Sequence, residues 1–121
     1  MMNEYKLTLR RDADGNMVCP LGETELRDLI GKNCMLAIGN FGELCLYDPL
    51  QWKKVVQTIS SMHMDDTRIL RPFMSSASPA KWEGDGFVLP PRHASYANIE
   101  DSVYVKKGQD EVWRFRGKAE E

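Results

Sequence analysis

The same short motif occurs twice in this chain: an acidic residue, a glycine three positions later, a brief apolar run and then proline. The first copy reads Asp12-Ala13-Asp14-Gly15-Asn16-Met17-Val18-Cys19-Pro20, and the second Glu83-Gly84-Asp85-Gly86-Phe87-Val88-Leu89-Pro90-Pro91. Acid followed by glycine is hairpin-turn chemistry, because glycine accepts the left-handed backbone that tight turns need. Laying Gly15 on Gly86 brings Asp12 onto Glu83 and Val18 onto Leu89. Small gaps then carry Cys34-Met35-Leu36 onto Val103-Tyr104-Val105, Gly39 onto Gly108, and Leu46-Tyr47 onto Val112-Trp113. A unit of roughly 45 residues buries too little apolar surface to fold alone, so two copies are expected to share one core as a pseudo-dimer.

Local patterning fills in the unit. Tyr5 to Arg10 alternates apolar and polar residues, which predicts one half-buried strand leading into the first turn. Glu23 to Ile30 has the spacing of a short helix ending at Gly31, and Cys34 to Ile38 and Leu44 to Tyr47 read as strands around a Gly39/Gly42 turn. Asp48 to about Met62 is the strongest helix, with Asp48 as N-cap, Pro49 at the first helical position, and Trp52, Val55, Val56 and Ile59 on one face. A second helix capped by Asp65 or Asp66 and carrying Thr67, Ile69 and Leu70 is stopped by Pro72. Strands are expected up to Trp82, at Val88-Leu89, from Val103 to Val105 and from Val112 to Phe115. The chain of 121 residues is therefore divided into repeat one at about 4–47, a helical connection at about 48–74, repeat two at about 75–116, and a frayed tail at 117–121. The expected class is mainly β with α, that is α+β.

With 16 basic and 18 acidic residues the formal charge is -2, so no global positive field draws the chain to a phosphate backbone or an anionic membrane. Nucleic-acid binding has to come from a local patch. Cys19, Cys34 and Cys45 each sit in apolar strand-like runs and read as reduced, buried thiols. Without a basic leader or an apolar run of about 20 residues, no membrane association is expected and a cytoplasmic location is. His63 and His93 have no partners at ligand spacing, so neither metal nor cofactor is expected. The serines at 60, 61, 75, 76 and 78 lack an elbow motif, and Gly84-Asp85-Gly86 lacks the Lys-Ser or Lys-Thr of a phosphate loop. Neither an enzyme nor a small-molecule substrate is indicated. Arg68 and Arg71 read as a helix face paired with Asp65, Asp66 or another subunit.

In order and spacing these motifs resemble the MraZ family of AbrB-like transcription regulators. That family carries an Asp-x-x-Gly-Arg turn in each of two repeats, each leading to a short strand and proline. Asp12-x-x-Gly15 and Glu83-x-x-Gly86 resemble the two turns. Leu46-Tyr47-Asp48-Pro49-Leu50-x-Trp52 resembles the start of the inter-repeat helix, and Gly108 with Val112-Trp113 the closing strand. The resemblance implies tandem AbrB-like repeats forming a double-hairpin, swapped-hairpin-like β-barrel core with flanking helices. It also implies ring-like homo-oligomers and a repressor that binds double-stranded DNA, which would add the nucleoid to the expected cytoplasmic location.

The chain departs from that pattern where it matters most. Asn16 and Phe87 stand at the two turn-arginine positions, and Asp14 and Asp85 where a basic residue is frequent. Arginine forks onto guanine or phosphate, whereas asparagine pairs at best with adenine and phenylalanine only stacks or wedges. Each lost bidentate contact removes roughly 1 to 3 kcal/mol of discrimination. Arg10 and Arg11 before the first turn, Lys81 before the second and Arg92 after it are the cations left nearby. Candidate DNA contacts are thus Arg10, Arg11, Asn16, Lys81, Phe87 and Arg92, with Asp12, Gly15, Glu83 and Gly86 shaping the turns. Two functions follow: a MraZ-like repressor with altered or weakened DNA recognition, or an oligomeric assembly protein that keeps the fold without its operator.

Overall fold

A computed structural model describes residues 4–21, 30, 33–39, 42–61, 76–84 and 86–118. The fold is mainly β with helices, an α+β chain whose strands form two antiparallel sheets. In chain order the strands are β1 (Glu4–Thr8), β2 (Arg10–Arg11), β3 (Met17–Cys19), β4 (Met35–Ile38), β5 (Leu44–Tyr47), β6 (Ser78–Pro79), β7 (Lys81–Glu83), β8 (Gly86–Leu89), β9 (Ser102–Lys107) and β10 (Trp113–Arg116). Helix α1 (Pro49–Ser61) joins the halves and α2 (Pro91–Tyr96) follows β8. The larger sheet runs β1-β9-β10-β5-β4-β6 and the smaller β2-β3-β8-β7.

The strand expected over Tyr5 to Arg10 is two strands in different sheets. Its alternation holds, with Leu7 buried, Tyr5 and Leu9 packed against the core, and Lys6, Thr8 and Arg10 exposed. Continuity fails at Leu9, whose amide donates to the Asp101 carbonyl (2.9 Å). There the chain leaves β9 and crosses to β3. Periodicity could not reveal this, because a strand that changes partners keeps its own period.

Between the sheets lies the main core. It takes Leu7, Leu36, Leu44, Leu46, Val103, Val105, Trp113 and Phe115 from the larger sheet, Cys19, Phe87 and Leu89 from the smaller, and Ala94, Ala97 and Ile99 from α2 and its exit. On the outer face of the larger sheet, Ala37, Cys45, Tyr47 and Val112 form a second cluster against Trp52 and Val55 of α1. That helix forms as its sequence predicts. The Gln51 amide donates to Asp48 Oδ1 (2.7 Å) and Gln51 Oε1 accepts from the Asp48 amide (3.0 Å), a reciprocal capping box ahead of Pro49. Cys19, Cys34 and Cys45 are free and buried. Burial pushes the Cys19 thiol up to about 12 and, with the nearby Asp48 charge, Cys34 to about 11. None of the three is a thiolate near neutral pH, so they act as core residues.

The expected helices over Glu23 to Ile30 and over Thr67 to Leu70, with Arg68, Arg71, His63 and Pro72, lie outside the described residues, Ile30 apart, as do Ser75, Asp85 and the end of the tail. Among the described residues no helix is long and apolar enough to cross a membrane.

Candidate nucleic-acid interface

Both hairpin turns belong to the smaller sheet, and they differ in length. In the first, the Asp12 amide donates to the Asn16 carbonyl (3.0 Å) and the Gly15 amide to the Asp12 carbonyl (3.0 Å), enclosing three residues with Gly15 at φ +83°. Asp12 organises the loop, its Oδ1 accepting from the amides of Asp14 (2.9 Å) and Asn16 (2.8 Å). In the second turn Glu83 pairs with Gly86, leaving only two residues at the tip, and the positive φ belongs to Gly84 (+62°).

The loop lengths move the alignment by one residue. By hydrogen-bonding position Asn16 corresponds to Gly86, not to Phe87, and Gly15 is an extra residue of the bulged type. Phe87 is fully buried, with its ring edge-on to Phe115 at 5.4 Å and 6.3 Å from Trp82. It is a core residue and drops out of the candidate contacts. Gly86 likewise serves a different purpose from a turn glycine: a Cβ there would sit 2.5 Å from the Cys19 carbonyl oxygen, so its role is to let β3 approach β8.

The remaining candidates fall into three places. Arg10 and Lys81 occupy the two ends of one row across the smaller sheet, Arg10↔Val18↔Val88↔Lys81, and both are exposed. Paired residues of an antiparallel ladder share a face, so the row sets two cations on one side, roughly 14 Å apart if the sheet were flat. Arg11 and Asn16 are exposed but engaged within the first turn: Arg11 Nη1 donates to the Gly15 carbonyl (3.1 Å) and Asn16 Nδ2 to Asp12 Oδ2 (3.2 Å). Both also line a cleft of about 380 Å³ that the turn forms with Met17, Leu89, Asn98 and Glu100. Arg92 is exposed in the first turn of α2 and shares no strand row with the others.

A contact between the turns has no counterpart in the sequence reading. The tips occupy diagonally opposite corners of the smaller sheet, and sheet twist lifts such corners to the same side. Asp12 and Glu83 meet there through a side-chain hydrogen bond, which holds Asp12 down at about 2 and pushes Glu83 above the ordinary glutamate value. When the pair shares a proton, Glu83 is the donor and Asp12 the acceptor. Arg10 acts on Glu83 in the opposite direction and Asp14 reinforces the rise. The only sequence trace of this contact was the match of Asp12 with Glu83 across the repeat.

His93 is buried in α2, its Nε2 2.6 Å from the Ser76 carbonyl oxygen, which ties the helix to the residues just before β6. Among the described residues no three His, Cys, Asp or Glu side chains converge as metal ligands would. A scan of the chain against protein-family models and a search of curated proteins find no match.

Proposed function

We propose that this chain is a diverged MraZ-like DNA-binding transcriptional regulator of repressor type, built from two AbrB-like repeats that exchange strands, and that its DNA recognition is altered. The observation that carries the reading is the strand order. Exchanging β1 through β5 for β6 through β10 turns β1-β9-β10-β5-β4-β6 into its own reverse, and does the same to β2-β3-β8-β7. The pairing registers support it with a shift from the simple alignment. Gly39 and Gly108 donate to the carbonyls of Glu43 (2.7 Å) and Val112 (2.9 Å), which matches Leu44, not Tyr47, to Trp113. Under that shift the opposed pairs Val18↔Val88 and Cys45↔Arg114 are each a residue facing its own repeat equivalent.

Double-stranded DNA is the partner this arrangement suits. Each half contributes one exposed cation, Arg10 or Lys81, from the two ends of one row of the smaller sheet, and exposed cations are what a phosphate backbone meets. Both edges of the smaller sheet and the half-covered Trp52, Val55, Val56 and Ile59 face of α1, with Leu50 64% exposed, favour homo-oligomers.

A second reading is favoured by the Asp12–Glu83 contact, which places carboxyl groups where phosphates would approach. In it the protein keeps the fold and assembles with itself or a MraZ homologue without binding DNA. Fluorescence anisotropy at low salt against duplex DNA from upstream of its own gene separates the two. The regulator binds, and Arg10→Ala with Lys81→Ala lowers the salt slope by about 1 per cation removed. Absence of binding at micromolar protein leaves the assembly role.

A further inference from the structure

The outward face of the larger sheet is divided. Its β4–β5 half is apolar and packs on α1 through Ala37, Cys45 and Tyr47. Its β1–β9–β10 half is basic. Register places Lys6, Tyr104 and Arg116 in one row and Glu4, Lys106 and Arg114 in the next, with Thr8 and Ser102 on the other side. Since their neighbours Leu7, Val103, Val105 and Phe115 enter the core, these side chains face outward. They range from exposed to partly exposed, and Lys6 Nζ lies 5.7 Å from the centre of the Tyr104 ring.

The charges are unevenly committed. Arg114 donates through both terminal nitrogens to Asp110 (2.9 and 2.8 Å), which removes it as a ligand for an outside anion. The Lys6–Tyr104–Arg116 row and the Thr8–Ser102 row contain no carboxylate. A π surface set between two cations on a sheet, in a chain of net charge -2, is a local feature that the overall composition does not supply.

We propose that this half-face binds single-stranded nucleic acid, with Tyr104 as the stacking platform for a base and Lys6 and Arg116 facing the phosphates. Charge complementarity selects a polyanion, and the aromatic ring within the cation row selects one whose planar groups are exposed rather than paired. Duplex DNA keeps its bases stacked inside and gains nothing from Tyr104. The face is formed by strands other than those carrying Arg10 and Lys81, so it does not depend on the regulator reading.

The test uses the full chain, labelled single-stranded 12-mers of oligo-dT and oligo-rU, and anisotropy at low salt. Binding is expected, with Tyr104→Ala weakening it roughly 5- to 150-fold while Tyr104→Phe, which keeps the ring, stays within a few-fold. Lys6→Ala with Arg116→Ala should flatten the salt dependence. Thermal unfolding of each variant separates a lost contact from a lost fold. The proposal is overturned if the oligomers do not bind, if folded Tyr104→Ala binds as the parent does, or if duplex of equal length or anionic lipid vesicles compete as well as the single strand.

Discussion

Gly15 and Gly86, each in one of the two acidic-glycine motifs, are glycines for unrelated reasons. At Gly15 the backbone is left-handed and the space is open, whereas at Gly86 the space is filled by the Cys19 carbonyl and the Val18 side chain. Gly86→Ala must push β3 and β8 apart at the centre of the smaller sheet, and should lower stability by about 1 to 3 kcal/mol in urea unfolding. Gly15→Ala should cost about 1 kcal/mol, through backbone strain alone. Only the Gly15 reason was legible in the sequence, because φ preference is local and the approach of another strand is not. The Asp12–Glu83 contact has a pH signature of its own. Glu83 is raised above 4.5, so its contribution is full below that value and is lost as pH rises through the raised value. Asp12 is depressed to about 2, so its contribution is present above 3.8 and is lost as pH falls toward 2. The melting temperature of the parent should therefore decline as pH rises above 4.5. Glu83→Gln, which donates to Asp12 at every pH, should remove that decline; an identical profile in the variant would show that the two turns do not share a proton.

Elements whose signals are contained within a few residues were readable, and elements defined by their partners were not. Helix α1 combines an N-cap, a proline and a four-residue apolar stripe, and its observed span, Pro49–Ser61, falls within the expected one. By contrast the β1/β2 break at Leu9 depends on β9 and the burial of Phe87 on β3, each about 70 or more residues away in the chain. The capping box also anchors α1 to the second half, since Gln51 Nε2 donates to the Glu111 carbonyl (2.8 Å). Asp48→Ala should cost about 1 kcal/mol through the lost cap. Gln51→Ala should cost more, because it removes the return bond of the box and the Glu111 tie as well. Comparing the two variants by chemical denaturation tests the order, and a smaller loss for Gln51→Ala would mean that the return bond and the tie together contribute less than the cap.

Across the molecule, each half leaves its own sheet unfinished. Strand β1 finds its partner in β9 and the short β6 finds its partner in β4, so the first strand of each half is held by the fourth strand of the other. The central ladders β3·β8 and β5·β10 also cross between halves. Core residues follow the same division, with Leu7 paired with Val103 and Cys19 with Phe87. A polypeptide of residues 1–61 would expose the β3 and β5 edges and one side of the core at once, and the area lost is a large share of what so small a domain can bury. Residues 76–121 face the same deficit. Neither piece alone should show a cooperative thermal transition, whereas the two mixed in equal amounts should recover one, together with the near-ultraviolet signal of packed Trp113 and Trp82. A half that folds cooperatively by itself would mean that the shared core is a convenience of packing and not a condition of folding, and the exchange of strands on which the repeat reading rests would lose its physical reason.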